Sequence, residues 1–259
     1  MKLKNIDYHI IDKCNLNCAS CNHYAPLAKE SNVITPKKAE HDFTILKKFD
    51  NKFMKLTLLG GEALINPYIE DILKLSIKYF PNRIKLITNG ICEQQLFNLK
   101  ETIDKNNVEL VITEYPFKEN FREYYDNLKE SFHDAIYYTY RHEHGFISEH
   151  LSYDTQNTDK ETLLNCEKRF KCCQYINGKL YICHYAGFLE YLNTITTLNF
   201  TNDDSYIDLT KCTNDEFDKF FKQHIPNICT HCMFVRKSYD DLEKKPWHKS
   251  EKSSVEWII

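Results

Sequence analysis

The chain has 259 residues, of which 42% are hydrophobic and 14% aromatic, with a formal net charge of -3. That is enough apolar material for one large domain, or a domain with a small appendage, and unlike a disordered chain. The charge leaves no basic field for nucleic acid as the main partner, and no apolar run approaches the roughly 20 residues of a membrane span.

The first residues, "MKLKNIDYHIID", have neither the apolar core nor the small-residue cleavage site of an export signal. This predicts a cytoplasmic protein. "IDYHIID" reads as a strand. "KKAEHDFTILKKF" reads as a helix that starts near Pro36 behind a capping Thr35. "KLTLLGG" is a second strand running into a glycine turn. "NPYIEDILKLSIKYFP" is a helix with Asn66 as cap and Pro67 in its first turn; Ile69, Ile72, Leu73, Ile77 and Phe80 form its apolar stripe. "RIKLITNG" is a third strand and "EQQLFNLKETIDK" the helix after it. "VELVIT" and the helix "KENFREYYDNLKESF" follow, and "AIYYTY" is a fifth strand. Strands alternating with helices predict parallel βα units with right-handed crossovers.

Beyond His142 the chain turns polar and mixed, which predicts loops and short helix up to about residue 165. "CCQYINGKLYIC" reads as a hairpin turning at Asn177-Gly178. "NDEFDKFFKQHI" reads as a helix ending at "PNICTHC". The charged tail from Lys237 reads as solvated surface, with Trp247 and Trp257 as its candidate anchors. The expected division is 1–150, 151–236 and a tail 237–259.

Cysteine is the outlier. There are 11, an odd number, without an export signal, a pattern that favours metal binding or catalysis over disulfides. Cys14, Cys18 and Cys21 form one group; Cys166, Cys172, Cys173, Cys183, Cys212, Cys229 and Cys232 form another. The triplet follows the first predicted strand. "GGEAL" follows the second and "TNG" the third. Ligands bind at the C-terminal ends of parallel strands, so all three motifs converge on one edge. Three thiols, rather than the four of a closed structural zinc site, suit a metal centre left open on one side.

"CNLNCASC" with "GGEAL" and "TNG" resembles the radical S-adenosylmethionine superfamily, with its CxxxCxxC and GGE motifs. The resemblance implies an α/β fold: an incomplete (β/α)6-type barrel followed by a small Cys-rich hairpin-and-helix domain. It implies that Cys14, Cys18 and Cys21 hold a [4Fe–4S] cluster whose fourth iron binds S-adenosylmethionine. It implies that Gly60, Gly61 and Glu62, with Thr88 and Asn89, bind that cofactor. Ala63 stands where the family commonly has proline. "CNHYAPLA" and "ITEYP" resemble a branch of the superfamily with CNHxxPLA after the third cysteine. The competing reading is a Cys₃His zinc site using His23, which leaves the glycine-glutamate motif unexplained.

Cys166, eleven residues, Gly178, four residues and Cys183, then Cys229-Thr-His-Cys232, resemble the Twitch form of the SPASM extension. That implies a second [4Fe–4S] cluster on Cys166, Cys183, Cys229 and Cys232, with Cys172 or Cys173 able to replace one ligand. A zinc knuckle from the same four cysteines is the alternative, since S₄ suits either metal. Arg141 and Glu114 are the candidate catalytic residues; His142, His144 and Tyr115 lie beside them at predicted strand ends.

The activity implied is reductive cleavage of S-adenosylmethionine and hydrogen abstraction from a small, sugar-like substrate, ending in oxidation or epimerisation. A relative of similar size with two clusters is a cyclitol dehydrogenase. A flavodoxin, ferredoxin or reductase is the expected electron donor, with neither nucleic acid nor membrane as partner. The alternative is a maturase of ribosomally made peptides, against which the first strand begins too early for a leader-binding domain. A zinc-bound interaction protein is the non-enzyme reading.

Overall fold

The computed structural model describes residues 1–29, 32–132, 136–141, 146–147, 151–154, 158–197, 200–236 and 244–258; for 136–141, 146–147, 235–236 and 244 it describes the backbone only. The first half follows the expected alternation: β1 (Leu3–His9), α1 (Pro36–Lys47), β2 (Phe53–Leu59), α2 (Ile69–Tyr79), β3 (Ile84–Thr88), α3 (Glu93–Lys105), β4 (Glu109–Glu114), α4 (Phe121–Ser131) and β5 (Ile136–Arg141). After β6 (Phe146–Ile147) come the short helices α5 (Lys160–Leu164) and α6 (Lys168–Lys171), and the hairpin β7 (Cys173–Ile176) and β8 (Lys179–Tyr181). α7 (His184–Gly187), α8 (Leu189–Leu192), β9 (Tyr206–Asp208), α9 (Asn214–Gln223), α10 (Met233–Arg236) and β10 (Lys244–Lys245) complete the chain.

Eight strands form one mixed sheet in the order β5-β4-β3-β2-β1-β7-β8-β9. β1 to β5 run parallel, and β7 lies parallel on the other side of β1, with Ile6 opposite Cys173 and Tyr8 opposite Tyr175. β8 and β9 continue antiparallel. The Cys-rich hairpin, expected as a separate module, therefore extends the same sheet. Its turn is as expected: Asn177 and Gly178 both take left-handed backbone angles, φ 50° and 83°, as a type I′ turn demands.

Side chains alternate across the sheet with the two-residue period of a strand. Ile6, Tyr8, Leu56, Leu58, Leu86, Leu110 and Ile112 are fully buried and belong to one apolar core with Phe43, Leu46, Ile72 and Leu96 of the helices. Each such side chain contributes roughly 1.5–3 kcal/mol on burial. α1 starts as its sequence indicates, with the Thr35 hydroxyl accepting from the Lys38 N–H and Pro36 in the first turn. Asp42 on α1 accepts hydrogen bonds from Tyr8 (2.8 Å) and Tyr175 (3.1 Å), which ties α1 to both β1 and β7.

The other face of the sheet is polar. Asp7 and His9 of β1, Thr57 of β2 and Gln174 of β7 are buried there, and Lys85 of β3 pairs with Glu109 of β4. Two sequence expectations shift. α2 begins three residues after Asn66, whose side chain instead donates to the carbonyls of Ile10 (2.7 Å) and Ile34 (3.1 Å) and accepts from the Tyr68 N–H. The tail is more than a solvated surface: Lys245, Lys249, Glu251 and Lys252 are exposed as expected, but the segment is tied down. Trp257 is fully buried, and residues 248–250 bond to the backbone of the Cys14–Cys21 loop.

Candidate metal and cofactor centre

The Cys14–Cys21 loop leaves the C-terminal end of β1 and turns sharply. Asn17, Ser20 and Tyr24 take left-handed angles, φ 55°, 56° and 52°, uncommon for residues with side chains. Outside contacts hold the loop in place. Ala19 N–H donates to the His248 carbonyl (3.0 Å), Ser250 N–H to that of Asn17 (2.8 Å), and the Ser20 hydroxyl to that of Glu256 (2.8 Å). The Trp257 indole donates to the Cys21 carbonyl (3.1 Å). Two donors point at sulfur itself: Leu16 N–H to Cys14 Sγ (3.5 Å) and the Trp247 indole to Cys18 Sγ (3.0 Å).

Gly60 and Gly61 explain themselves sterically. A Cβ on Gly60 would lie 2.5 Å from the Ile11 carbonyl oxygen, and one on Gly61 2.3 Å from that of Asp12. Without side chains the end of β2 lies directly on the root of the cysteine loop. Gly61 N–H donates to Ile11 (2.7 Å) and Glu62 N–H to Lys13 (2.9 Å). The Glu62 carboxylate is buried and accepts from Leu64 N–H (3.0 Å), the Thr88 hydroxyl (2.6 Å) and Asn89 N–H (2.8 Å). Burial pushes its acidity down, and those three donors oppose the shift. The Asn89 amide then donates to Asn15 beside Cys14 (2.7 Å). The residues expected from three separate motifs thus form one connected site.

The chemistry of the donors fits a cationic cluster. Burial pushes the Cys14 thiol up to about 12, with Cys21 and Glu62 adding to the rise, and raises Cys18 and Cys21 as well. Three such thiols with an acid for a neighbour become thiolates only with a strong positive charge between them, which iron supplies.

The second cysteine group also converges. Cys166, Cys183, Cys229 and Cys232 line one apolar pocket with Arg169, Lys168, Leu151, Ile182, Tyr185 and Ile228. Burial pushes the Cys183 thiol up to about 12, and Cys232 and Cys166 add to it. Arg169 is 1% exposed, and among the described residues its Nε and Nη1 have no hydrogen-bond partner. A buried cation with unused donors facing four thiols fits an anionic occupant such as a thiolate-ligated cluster. Cys172 lies near enough to Cys183 and Cys166 to feel their charge, and Cys173 is fully buried with its thiol on the Arg169 carbonyl (2.8 Å).

Other expectations fare differently. Glu114, expected as catalytic, is buried and pairs with Lys129 of α4 (2.6 Å). It alternates out of phase with Val111 and Thr113 and so faces the helices. Tyr115 is the residue that faces the first centre: burial, then Cys18, Cys21 and Cys14, push its hydroxyl far up. Arg141 ends β5 in register with Glu114; its side chain, and all of His142 and His144, lie outside the described residues. His23 does not join the cysteines as a Cys₃His zinc site would need. Its ring lies 5.5 Å from His9, 5.4 Å from His184 and 5.6 Å from Phe188. Among the described residues no three His, Cys, Asp or Glu side chains converge tightly enough for a single ion; a cluster spreads its thiolates wider. Sequence reasoning missed Arg169, hidden in "EKRFK", and left Trp247 as an anchor without a target.

A family model described as a 4Fe-4S single cluster domain matches residues 7–134. An S-adenosylmethionine-dependent nucleotide dehydratase of Flammeovirga pacifica is 26% identical over 92 residues, 34% of this chain and 31% of that protein, so the chain aligns with under a third of this curated relative. Among solved structures, BtrN in complex with AdoMet and 2-DOIA superposes with a TM-score of 0.58 at 19% identity, covering 94% of this chain and 100% of that one. BtrN in an open conformation gives 0.53 at 14% identity, over 90% and 93%. With the cysteine triplet, the buried Glu62 and the strand ends that carry them, the 4Fe-4S match over residues 7–134 and the likeness to an S-adenosylmethionine-dependent enzyme support a place in the radical S-adenosylmethionine superfamily, with a [4Fe–4S] cluster and S-adenosylmethionine as cofactors.

Proposed function

We propose that the protein is a two-cluster radical oxidoreductase acting on a small, polyhydroxylated substrate. The observation that carries this reading is the second pocket, where four cysteines surround a buried, permanently charged Arg169 on the same sheet as the first centre. When bound, the first cluster and S-adenosylmethionine supply a radical able to remove a hydrogen atom from carbon; a second cluster supplies an acceptor for the remaining electron.

The chain's own residues divide the work. Cys14, Cys18 and Cys21 hold the first cluster. Gly60, Gly61, Glu62, Thr88 and Asn89 form the edge that receives S-adenosylmethionine. Cys166, Cys183, Cys229 and Cys232 hold the second cluster, with Cys172 the nearest substitute. The open sheet from β5 to β1, continued by β7, is the partial barrel, and 151–236 is its auxiliary module. The polar inner face suits hydroxyl groups: Asp7, Thr57 and Gln174 are buried there. His9 sits at the cluster end of that face, 3.0 Å from Asp12. Arg141 is kept as a catalytic candidate at the end of β5. BtrN, whose fold this chain shares, has been crystallised with AdoMet and 2-DOIA, and a small ligand of that kind is the starting point for assay.

The test is turnover in deuterated buffer with reconstituted protein, S-adenosylmethionine, a flavodoxin or dithionite, and a panel of aminocyclitols and sugars. Oxidation yields a product two hydrogens lighter, with no solvent deuterium on the reacting carbon. A product of unchanged composition carrying one deuterium overturns oxidation in favour of epimerisation. 5′-Deoxyadenosine formed only with a peptide substrate would make the protein a maturase.

A further inference from the structure

Arg169 lies on α6 between Cys166 and Cys172, and only 1% of it is exposed. Its Nη2 donates to the carbonyls of Phe221 (3.0 Å) and His224 (2.8 Å) at the end of α9. Nε and Nη1 are buried with no hydrogen-bond partner among the described residues. Among the described residues it makes no ion pair with an acid. A guanidinium does not lose its proton in a protein, so the charge is permanent. A buried charge without an acid beside it calls for another anion nearby. The four thiols of the pocket are the groups it faces. Lys168 adds a second cation at the rim, with Nζ 3.9 Å from the Phe234 ring centre and 5.2 Å from that of Tyr185.

We propose that Arg169 is the built-in counter-charge of the centre held by Cys166, Cys183, Cys229 and Cys232, and that it raises that centre's reduction potential. The inference rests on the two-cluster reading above. A [4Fe–4S] cube with four thiolates is anionic, and one electron makes it more negative by one unit. A fixed cation in a low-dielectric pocket favours the more negative state. The first centre has a neighbour of the opposite sign, the buried Glu62, whose charge acts on Cys14.

The experiment is a redox titration followed by electron paramagnetic resonance on the full chain carrying Cys14→Ala, Cys18→Ala and Cys21→Ala, so that only the second centre contributes. Arg169→Gln should lower its midpoint until the reduced fraction at the parent's midpoint falls about tenfold, equivalent to about 59 mV for one electron. Arg169→Lys, which keeps the charge, should change that fraction less than threefold. An iron-loaded Arg169→Gln protein with an unmoved midpoint overturns the proposal and leaves the two-cluster reading standing. If Arg169→Gln fails to take up iron, Arg169→Lys decides: loading with the parent's midpoint supports a charge role, and failure to load shows that Arg169 only braces α9. If the triple-cysteine parent itself holds zinc, or no metal, the two-cluster reading fails instead.

Discussion

The two cysteine centres use the same donor atom in opposite settings. The first has three thiols on a strained loop at a strand end, a buried acid for a neighbour, and an indole N–H on one sulfur. The second has four thiols in a pocket with a buried arginine and a lysine at its rim. Ligand number decides which centre keeps an open coordination position. Charge in the surroundings shifts how easily each is reduced, beside ligand count, hydrogen bonds to sulfur and exposure. Spacing motifs carry the first kind of information and not the second, so the surroundings, which only the fold assembles, separate two centres that look alike as cysteine clusters.

The largest expected effect is reciprocal loss of metal. Anaerobically reconstituted protein should carry about eight irons, four per cluster. Replacing Cys14, Cys18 and Cys21 with alanine should leave about four irons and abolish 5′-deoxyadenosine formation. Replacing Cys183 and Cys229 should leave the other four, with cleavage of S-adenosylmethionine retained. Iron analysis and product chromatography read both. If the triple variant still makes 5′-deoxyadenosine, the first ligand set is misassigned. If the double variant keeps eight irons, Cys172 or Cys173 has a ligand's role.

What the sequence showed of these centres was whatever is local. Cys14 to Cys21, Gly60 to Glu62 and Thr88 to Asn89 lie within short segments at strand ends, and the alternation of strand and helix placed them on one edge. The Asn177-Gly178 turn was legible because its backbone angles restrict the residues it accepts. The pairing of β7 with β1 was not, since it joins positions more than 160 residues apart and leaves no period to count. Arg169 sits in a basic run that reads as exposed, and a short helix turns that one side chain inward. Glu114 stood at a strand end, where either face was open to it, and register sent it to Lys129.

A smaller effect tests the inner face that lies between the centres. Burial pushes the Asp7 carboxyl up to about 7, against the opposing influence of Thr57, Lys85 and Lys168. The folded state thus holds a proton that the unfolded chain gives up near pH 4. This contribution to stability is full below about pH 4 and is lost as pH rises through about 7. Asp7→Asn should remove that slope and stabilise the protein at pH 8, by on the order of 4 kcal/mol at most, since each tenfold change in proton affinity between folded and unfolded chain is worth about 1.36 kcal/mol. Denaturant midpoints of both proteins from pH 4 to 8 read it. Parallel curves would show that Asp7 is ionised in the fold and already paired, and the inner face would then be a charged site rather than a neutral, hydrogen-bonding one.

The smallest effect falls on the first centre. Trp247 donates its indole N–H to Cys18 Sγ at 3.0 Å, and the strap that carries it is fixed to the loop by Ala19, Asn17 and the buried Trp257. A hydrogen bond to a thiolate stabilises the state with more negative charge, so it raises the cluster's potential. Trp247→Phe keeps an aromatic ring and deletes the donor. A net hydrogen bond of about 1 kcal/mol corresponds to tens of millivolts in a one-electron couple, at about 59 mV per factor of ten. The first centre of Trp247→Phe should therefore titrate lower by that amount, with iron content unchanged and the second centre unmoved. The direction is diagnostic: loss of the strap's packing would admit water to the sulfurs, which also donates to thiolates and would push the potential the other way. An unchanged or raised midpoint would make Trp247 a cover for the loop, and the difference between the two centres would then rest on Glu62 and Arg169 alone.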